Sequence, residues 1–146
     1  MGQTGFEPFE KIHEQWRTLT RGSPHTTLYH SERWIEVLQL TYGFAFHAAL
    51  LQHHGKVHAG ALFARVWRPF ARGWVALPFS DSCPPLPLER TVDAELFGDL
   101  RELIGNDRFE MRGVTAPPLW QEVDNFLLWE LDLSGSVRLT QISGAM

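Results

Sequence analysis

Ser80 and Asp81 have the chemistry best suited to a substrate, and they directly follow an apolar run at residues 74–79 that predicts a strand. The carboxyl end of a central strand is the usual rim of a ligand crevice in an open sheet. A carboxylate there can accept a hydrogen bond from a sugar or an amine, or act as a general base when desolvated. We therefore take Ser80 and Asp81 as candidate substrate-binding residues, with Asp81 as the sole catalytic candidate. The competing interpretation is that both side chains cap the turn, a common role of Ser and Asp.

Cys83 is the single cysteine of the chain and lies before Pro84 and Pro85. A thiol becomes a nucleophile when a histidine activates it, but the sequence places none of the 7 histidines beside Cys83. We therefore interpret it as a small loop residue. One cysteine also excludes an internal disulfide framework and a cysteine-rich metal site.

Three histidines, His53, His54 and His58, lie close together and raise the question of a metal site. His54 and His58 would share a face only in a helix, whereas Gly55 between two apolar runs predicts a hairpin turn. Histidines split by a turn, without cysteines or nearby carboxylates, make a poor ligand set. We expect solvated turn histidines and no metal site.

Three arginines, Arg65, Arg68 and Arg72, flank the connection at residues 69–70. Guanidinium groups pair well with phosphate, so this cluster, and Arg68 in particular, is a candidate to bind a substrate that carries a phosphate group. The alternative is a solvated basic loop.

Tryptophans form a second possible binding element, because a sugar ring can stack on an exposed indole. The candidates are Trp34, Trp67, Trp74 and Trp120. Tryptophans at helix and strand core positions usually pack instead, and packing is the competing interpretation for all four.

The composition limits the class of protein. A chain of 146 residues with 44% hydrophobic content is expected to form one domain with a sizeable core. A net charge of −4 with scattered basic residues argues against a nucleic-acid surface. The longest apolar run, residues 44–51, is interrupted by His47 and too short to span a bilayer. Without a signal-peptide pattern at the start of the sequence, we expect a soluble, cytoplasmic protein.

Two helices are predicted in the first third of the chain. Apolar residues recur at helical spacing over residues 9–20, before Gly22. Ser31 is the predicted N-cap of a second helix that ends at Gly43. The side chains that this second helix should bury are Trp34, Ile35, Leu38 and Tyr42.

The middle of the chain predicts strands at residues 44–52, 57–66 and 74–79, the first two joined by the hairpin at Gly55. Gly60 is a candidate bulge position. A third helix should be capped by Thr91 or Asp93 and end at Gly105. Its predicted inward side chains are Val92, Leu96, Leu100, Leu103 and Ile104.

The remaining predicted elements are a strand at residues 108–112, a turn or short helix at 117–122 and a strand at 126–133. Both central strands are apolar on two faces, so helices should cover the sheet on both sides. The element order therefore predicts an α/β or α+β sandwich.

Three segments, taken together, resemble a known family. They are Ser31-Glu32-Arg33-Trp34 followed by Tyr42-Gly43-Phe44, then Gly60-Ala61-Leu62-Phe63, then Leu77-Pro78-Phe79-Ser80-Asp81. In order and spacing they resemble the N-terminal half of FemAB-type acyltransferases, a group that includes peptidoglycan-bridge aminoacyltransferases and acetyltransferases associated with cellulose and exopolysaccharide. The resemblance covers residues 16–132. It implies a GNAT-like fold (Gcn5-related N-acetyltransferase), with a mixed, largely antiparallel sheet, over residues 1–133, followed by a weak tail at 134–146.

The segment after Asp81 departs from the family pattern. Relatives usually carry an aromatic residue and two glycines where this chain has Ser82-Cys83-Pro84-Pro85. The acetyltransferase fold places its cofactor loop after this strand, where successive backbone N–H groups bind a pyrophosphate, and each proline removes one such donor. We therefore expect no coenzyme A site in the isolated chain.

The resemblance implies that a second acyltransferase domain, which carries much of the donor and catalytic apparatus, is absent from this chain. In full-length relatives the donor would be acetyl-CoA or aminoacyl-tRNA. We expect an acceptor-binding half that is inactive alone and partners either a second domain or another copy of itself. The alternatives are a non-catalytic dimerising module and a stand-alone N-acyltransferase with an atypical cofactor loop.

Overall fold

The computed structural model describes residues 2–68, 71–80, 82–87, 90–112 and 121. Eight elements and a short 3-10 turn account for most of them: β1 (Gln3–Pro8), α1 (Phe9–Gly22), the 3-10 turn (Leu28–His30), α2 (Glu32–Tyr42), β2 (Ala45–His53), β3 (Lys56–Arg68), β4 (Ala71–Val75), α3 (Arg90–Ile104) and β5 (Arg108–Glu110). The predicted strand at 126–133, the tail at 134–146 and almost all of the predicted turn at 117–122 lie outside the described residues.

The strands form one sheet in the order β1-β2-β3-β4-β5. The first four are antiparallel to their neighbours, whereas β5 runs parallel to β4. A parallel pair needs a crossover connection, and α3 supplies it. The prediction of a mixed, largely antiparallel α+β sheet is confirmed.

Helices cover the sheet on both faces, as the two-sided apolar strands predicted. On one face, α1 and α2 pack on β2 and β3; the buried residues include Trp16, Leu19, Ile35, Leu38, Phe46, Leu50 and Leu62. On the other, α3 packs on the alternate residues of the same strands; these include Leu51, Ala61, Phe63, Leu96, Phe97 and Leu100. None of the helices in the described ranges is long and apolar enough to cross a membrane.

The first two helices and the hairpin form where the sequence predicts them, and the residues predicted to cap α2 and to turn the hairpin have the expected geometry. Ser31 caps α2, its Oγ accepting a hydrogen bond from the Trp34 N–H at 3.2 Å, and Gly43 ends the helix with φ +68°. Gly55 has φ +75° and His54 has φ +51°. Two successive positive φ values are the geometry of the tight turn that joins antiparallel strands with the correct twist.

Several predicted details are wrong. α3 begins at Arg90, so neither Thr91 nor Asp93 is its cap, and Leu103 is exposed rather than buried. Tyr42 is likewise half-exposed, because its ring stacks on the chain that follows β4 and not on the core. β1 was missed altogether, since its sequence carries Gly5 and Pro8 and no clear alternation.

Gly60 is not a bulge position. The register shifts between Leu51 and Gln52, which pair with Ala59 and Val57, so the extra residue of the bulge is His58. A side chain at Gly60 would crowd the core: a Cβ there would lie 2.7 Å from Leu50 Cδ2 and 3.1 Å from the Ala49 carbonyl oxygen. Its backbone also pairs with Leu86.

We expect Gly60→Ala to lower the free energy of unfolding by about 1–3 kcal/mol, the usual range for overpacking a core. Urea denaturation measures the change. Gly5→Ala is the matched control, because it is also a strand glycine but has no atom within 4 Å of the added Cβ. Equal effects of the two substitutions would show that strand propensity, not packing, decides the cost.

Candidate functional site

The segment at residues 76–87, here called the arch, connects β4 towards α3 and contains most of the predicted site. At its start, the Ala76 N–H donates to the Glu110 carbonyl at 2.8 Å. At its far end, Leu86 exchanges two backbone hydrogen bonds with Gly60, at 2.7 and 2.8 Å. The arch is therefore attached to the sheet at both ends, and its apolar residues Leu77, Cys83 and Leu86 join the core beneath α1 and α2.

The backbone of the arch is strained at two positions, which explains why the predicted strand at 74–79 ends early, at Val75. Leu77 has φ +43° and Phe79 has φ +62°, values that side-chain-bearing residues rarely adopt outside special sites. The turn at Leu77 takes the chain out of the sheet. The turn at Phe79 directs its ring outward, where 60% of the residue is exposed.

His30 links the arch by hydrogen bonds to the segment that leads into α2. The Thr27 N–H donates to His30 Nδ1 at 3.0 Å, which makes Nδ1 an acceptor, so the ring proton is on Nε2 and is donated to the Pro84 carbonyl at 2.9 Å. His30 is completely buried, and burial lowers its pKa despite the bond to Pro84. The imidazole is thus a neutral link between the entry to α2 and the arch.

Ser80 does not directly follow a strand, because β4 ends five residues earlier at Val75, and only 3% of Ser80 is exposed. Its Oγ accepts a 3.4 Å hydrogen bond from Trp34 Nε1. The Ser80 side chain therefore stabilises the arch against α2, and its contact with an acceptor stays a prediction. Asp81, the catalytic candidate, lies outside the described residues.

The exposed Phe79 of the arch belongs to an aromatic stack with Tyr42 and Phe44. The Phe79 ring lies 4.5 Å from that of Tyr42 with an interplanar angle of 23°, and Tyr42 stacks in turn on Phe44 at 5.7 Å. Trp34 lies next to Ser80, the residue that follows Phe79. Sequence reasoning missed this stack because it placed Tyr42 in the core; the strain at Phe79, which turns its ring outward, has no signature in the sequence.

Cys83 is fully buried, and burial raises its pKa to about 12. A thiol with that pKa is protonated at neutral pH, so Cys83 is a packing residue. Its neighbour Pro84 bonds to His30 through the carbonyl group, which leaves the histidine engaged with the backbone and not with sulfur.

The three arginines of the predicted cluster lie on the paired parts of β3 and β4. Arg65 pairs with Trp74 across β3 and β4, on the α3 face of the sheet, whereas the arch packs on the α1 and α2 face. Arg68 ends β3 and pairs with Ala71, and Arg72 pairs with Trp67. The assignment of Arg68 to substrate binding stays a prediction.

The histidines of the hairpin form an isolated cluster at the other end of the strands. The His53 and His58 rings lie 5.1 Å apart, and His53 Nε2 is 3.5 Å from Glu95 Oε2. Within the ranges that the structure describes, no three metal-ligating side chains come together in a suitable group.

Comparison of the chain with family models, curated proteins and solved structures finds no match.

Proposed function

We propose that the chain is the acceptor-binding domain of a FemAB-type acyltransferase and that the exposed aromatic stack at the arch receives the acceptor. The mixed sheet with helices on both faces is of the α+β class that the family resemblance implies, and it supports the proposal to that extent. The observation that carries the proposal is the outward Phe79 ring, held by the strained backbone of the arch and stacked on Tyr42.

An acceptor of this class is a sugar-bearing peptide or a polysaccharide of the cell wall or exopolysaccharide. The faces of Phe79 and Tyr42 offer apolar, polarisable surface of the kind on which sugar rings stack. Strained residues persist where the surrounding structure holds them and are concentrated at ligand sites. Here the holding contacts are the Trp34–Ser80 and His30–Pro84 hydrogen bonds.

The arch offers few backbone N–H groups that could bind the pyrophosphate of an acyl donor. Pro78, Pro84, Pro85 and Pro87 have no N–H to offer to a pyrophosphate. The N–H of Leu86 is already bonded to Gly60. We therefore propose that the isolated chain binds neither coenzyme A nor another acyl donor and transfers no acyl group by itself.

The test is a pair of titrations. A soluble disaccharide-pentapeptide fragment of peptidoglycan should shift the aromatic NMR signals of Phe79 and Tyr42 saturably, and acetyl-CoA should leave the melting temperature unchanged. Phe79→Ala should weaken the fragment's binding by about tenfold, equivalent to about 1.4 kcal/mol. Leu40→Ala is the matched control, because Leu40 is 81% exposed on the same helix as Tyr42 and has no ring to stack.

Two outcomes would contradict the proposal. Dose-dependent stabilisation by acetyl-CoA would favour the stand-alone acetyltransferase. Fragment binding that Phe79→Ala leaves unchanged would remove the aromatic stack as the acceptor site.

A dimerising interaction module is the second candidate, and the exposed side of α2 favours it. Val37 and Leu40, three residues apart and therefore on one side of the helix, are both exposed there, and grouped exposed apolar residues often mark interfaces. Light scattering at high micromolar concentration separates the candidates: a dimer that Leu40→Glu dissociates supports the module, and a clean monomer excludes it.

A further inference from the structure

A second group of polar side chains lies on the face of the sheet that α3 covers. It is found near the start of β2 and towards the end of β3. His47 and Arg65 are diagonal neighbours there, since His47 pairs with Phe63 and Arg65 pairs with Ala45. Alternate residues of a strand share a face, so both side chains lie on the same surface as Trp74, which pairs with Arg65 from β4.

Aromatic rings surround these two side chains. The His47 ring lies 4.8 Å from Trp74 and 5.2 Å from Phe6. The Arg65 guanidinium carbon lies 5.3 Å from the centroid of Trp74 and 5.9 Å from that of Trp67. The rings hold the guanidinium through cation–π attraction, but they offer no hydrogen-bond acceptor.

Two nitrogen atoms of this group, His47 Nδ1 and Arg65 Nε, are buried without a hydrogen-bond partner among the residues that the structure describes. Nearly all buried polar atoms in folded proteins are paired, and an unpaired one lowers the stability of the fold. The pKa of His47 is lowered by burial and by the charge of Arg65, so the two groups also oppose each other electrostatically. A neighbouring negative charge would relieve both penalties.

The carboxylates that stand near this group bond elsewhere. Glu7 and Glu10 raise the pKa of His47 only enough to offset part of the shift. Glu7 forms an ion pair with Lys11 at 3.6 Å, and Glu10 accepts a hydrogen bond from Gln39 at 3.0 Å. On the Trp74 side, Asp107 accepts from the indole N–H at 3.2 Å. Within the described residues, no protein oxygen supplies the missing acceptor.

We propose that His47 and Arg65 form a binding site for the oxyanion of a small ligand, a carboxylate or a phosphate. The planar guanidinium donates two parallel N–H groups to such an oxyanion, and His47 donates from Nδ1. The ligand enters from the side of Ala45. This residue is exposed and pairs directly with Arg65 on the neighbouring strand, and its methyl group is too short to cover the guanidinium. The site lies on the opposite face of the sheet from the arch and does not depend on the function proposed there.

The site is tested with inorganic phosphate and with acetate, each titrated against chloride at constant ionic strength. Saturable shifts of the Arg65 Nε–H and His47 ring NMR signals at millimolar anion are expected from one or both, and the tighter of the two identifies the ligand's anionic group. Binding should also raise the pKa of His47, since the added negative charge opposes Arg65 and adds to the effect of Glu7 and Glu10.

Arg65→Gln should weaken the binding by about tenfold or more, the loss expected for a charge-assisted bidentate contact. Arg65→Lys keeps the charge without the planar fork and should bind with intermediate affinity, which keeps the proposal testable if the glutamine variant fails to fold. Arg33→Gln removes the same charge from an exposed position of α2 and should leave the affinity unchanged. Shifts that do not saturate for either anion, or an equal loss in Arg33→Gln and Arg65→Gln, would overturn the proposal.

Discussion

Replacing Trp16 with alanine is expected to lower the free energy of unfolding by about 3–5 kcal/mol, the range found for large aromatic residues removed from a core. Trp16 is completely buried, and its side chain belongs to the core between the sheet and helices α1 and α2. Its indole N–H donates to the His30 carbonyl at 2.9 Å, and its ring stacks on the imidazole at 6.2 Å. The substitution therefore removes packing volume and a buried hydrogen bond together.

Trp16→Phe separates these two contributions. It keeps most of the ring volume but leaves the His30 carbonyl unpaired, which should cost about 1–3 kcal/mol. Urea denaturation with an unchanged m-value would attribute both losses to the folded state. If Trp16→Phe cost as much as Trp16→Ala, the hydrogen bond rather than the packing would dominate.

Stability is expected to fall as the pH drops below the ordinary imidazole pKa of about 6.5, because of His30. Burial lowers the pKa of His30 in the folded chain, so below that pH the unfolded chain binds a proton that the folded chain does not. The stabilisation is fully present above the unfolded pKa and is lost on acidification, at up to about 1.4 kcal/mol per pH unit for one group. His47, whose pKa is also lowered, contributes with the same sign.

His30→Gln is the variant that isolates this effect, because glutamine can still donate to Pro84 and accept from Thr27 but does not titrate. Between about pH 6.5 and pH 5 its free energy of unfolding should depend less steeply on pH than that of the native chain. His30→Ala should lose about 3 kcal/mol above pH 6.5, since it leaves a cavity and unpaired groups on Thr27 and Pro84, and this difference from the native chain should shrink on acidification, because alanine does not titrate either. An equally steep pH dependence in His30→Gln would assign the effect to other groups.

Sequence predicted the parts of the fold that depend on residues a few positions apart. Ser31, Gly43 and Gly55 determine helix ends and a turn through their own backbone or side-chain chemistry, so their roles were visible before the structure. The two-sided apolar pattern of β2 and β3 likewise predicted helices on both faces. β1 was not visible, because what makes its residues a strand is the edge of β2 and not their own pattern.

The candidate site was less predictable for a related reason. Ser80 was placed at the end of a strand, but its burial depends on Trp34, 46 residues away in the chain. His30 and Pro84 are 54 residues apart, and nothing local in either segment indicates the bond between them. The outward direction of Phe79 follows from positive φ values, which the residue types at those positions would normally avoid.

The pairing of β1 with β2 has a consequence for how the chain folds. Pro8 pairs with His47, so the loop closed by this contact contains both α1 and α2, and its closure entropy must be met before β1 contributes stability. We therefore expect β1 to join the sheet late. Until it does, the outer edge of β2 has unpaired backbone groups and is open to strands from other molecules, so we expect a newly made chain to be prone to aggregate in the period before β1 docks.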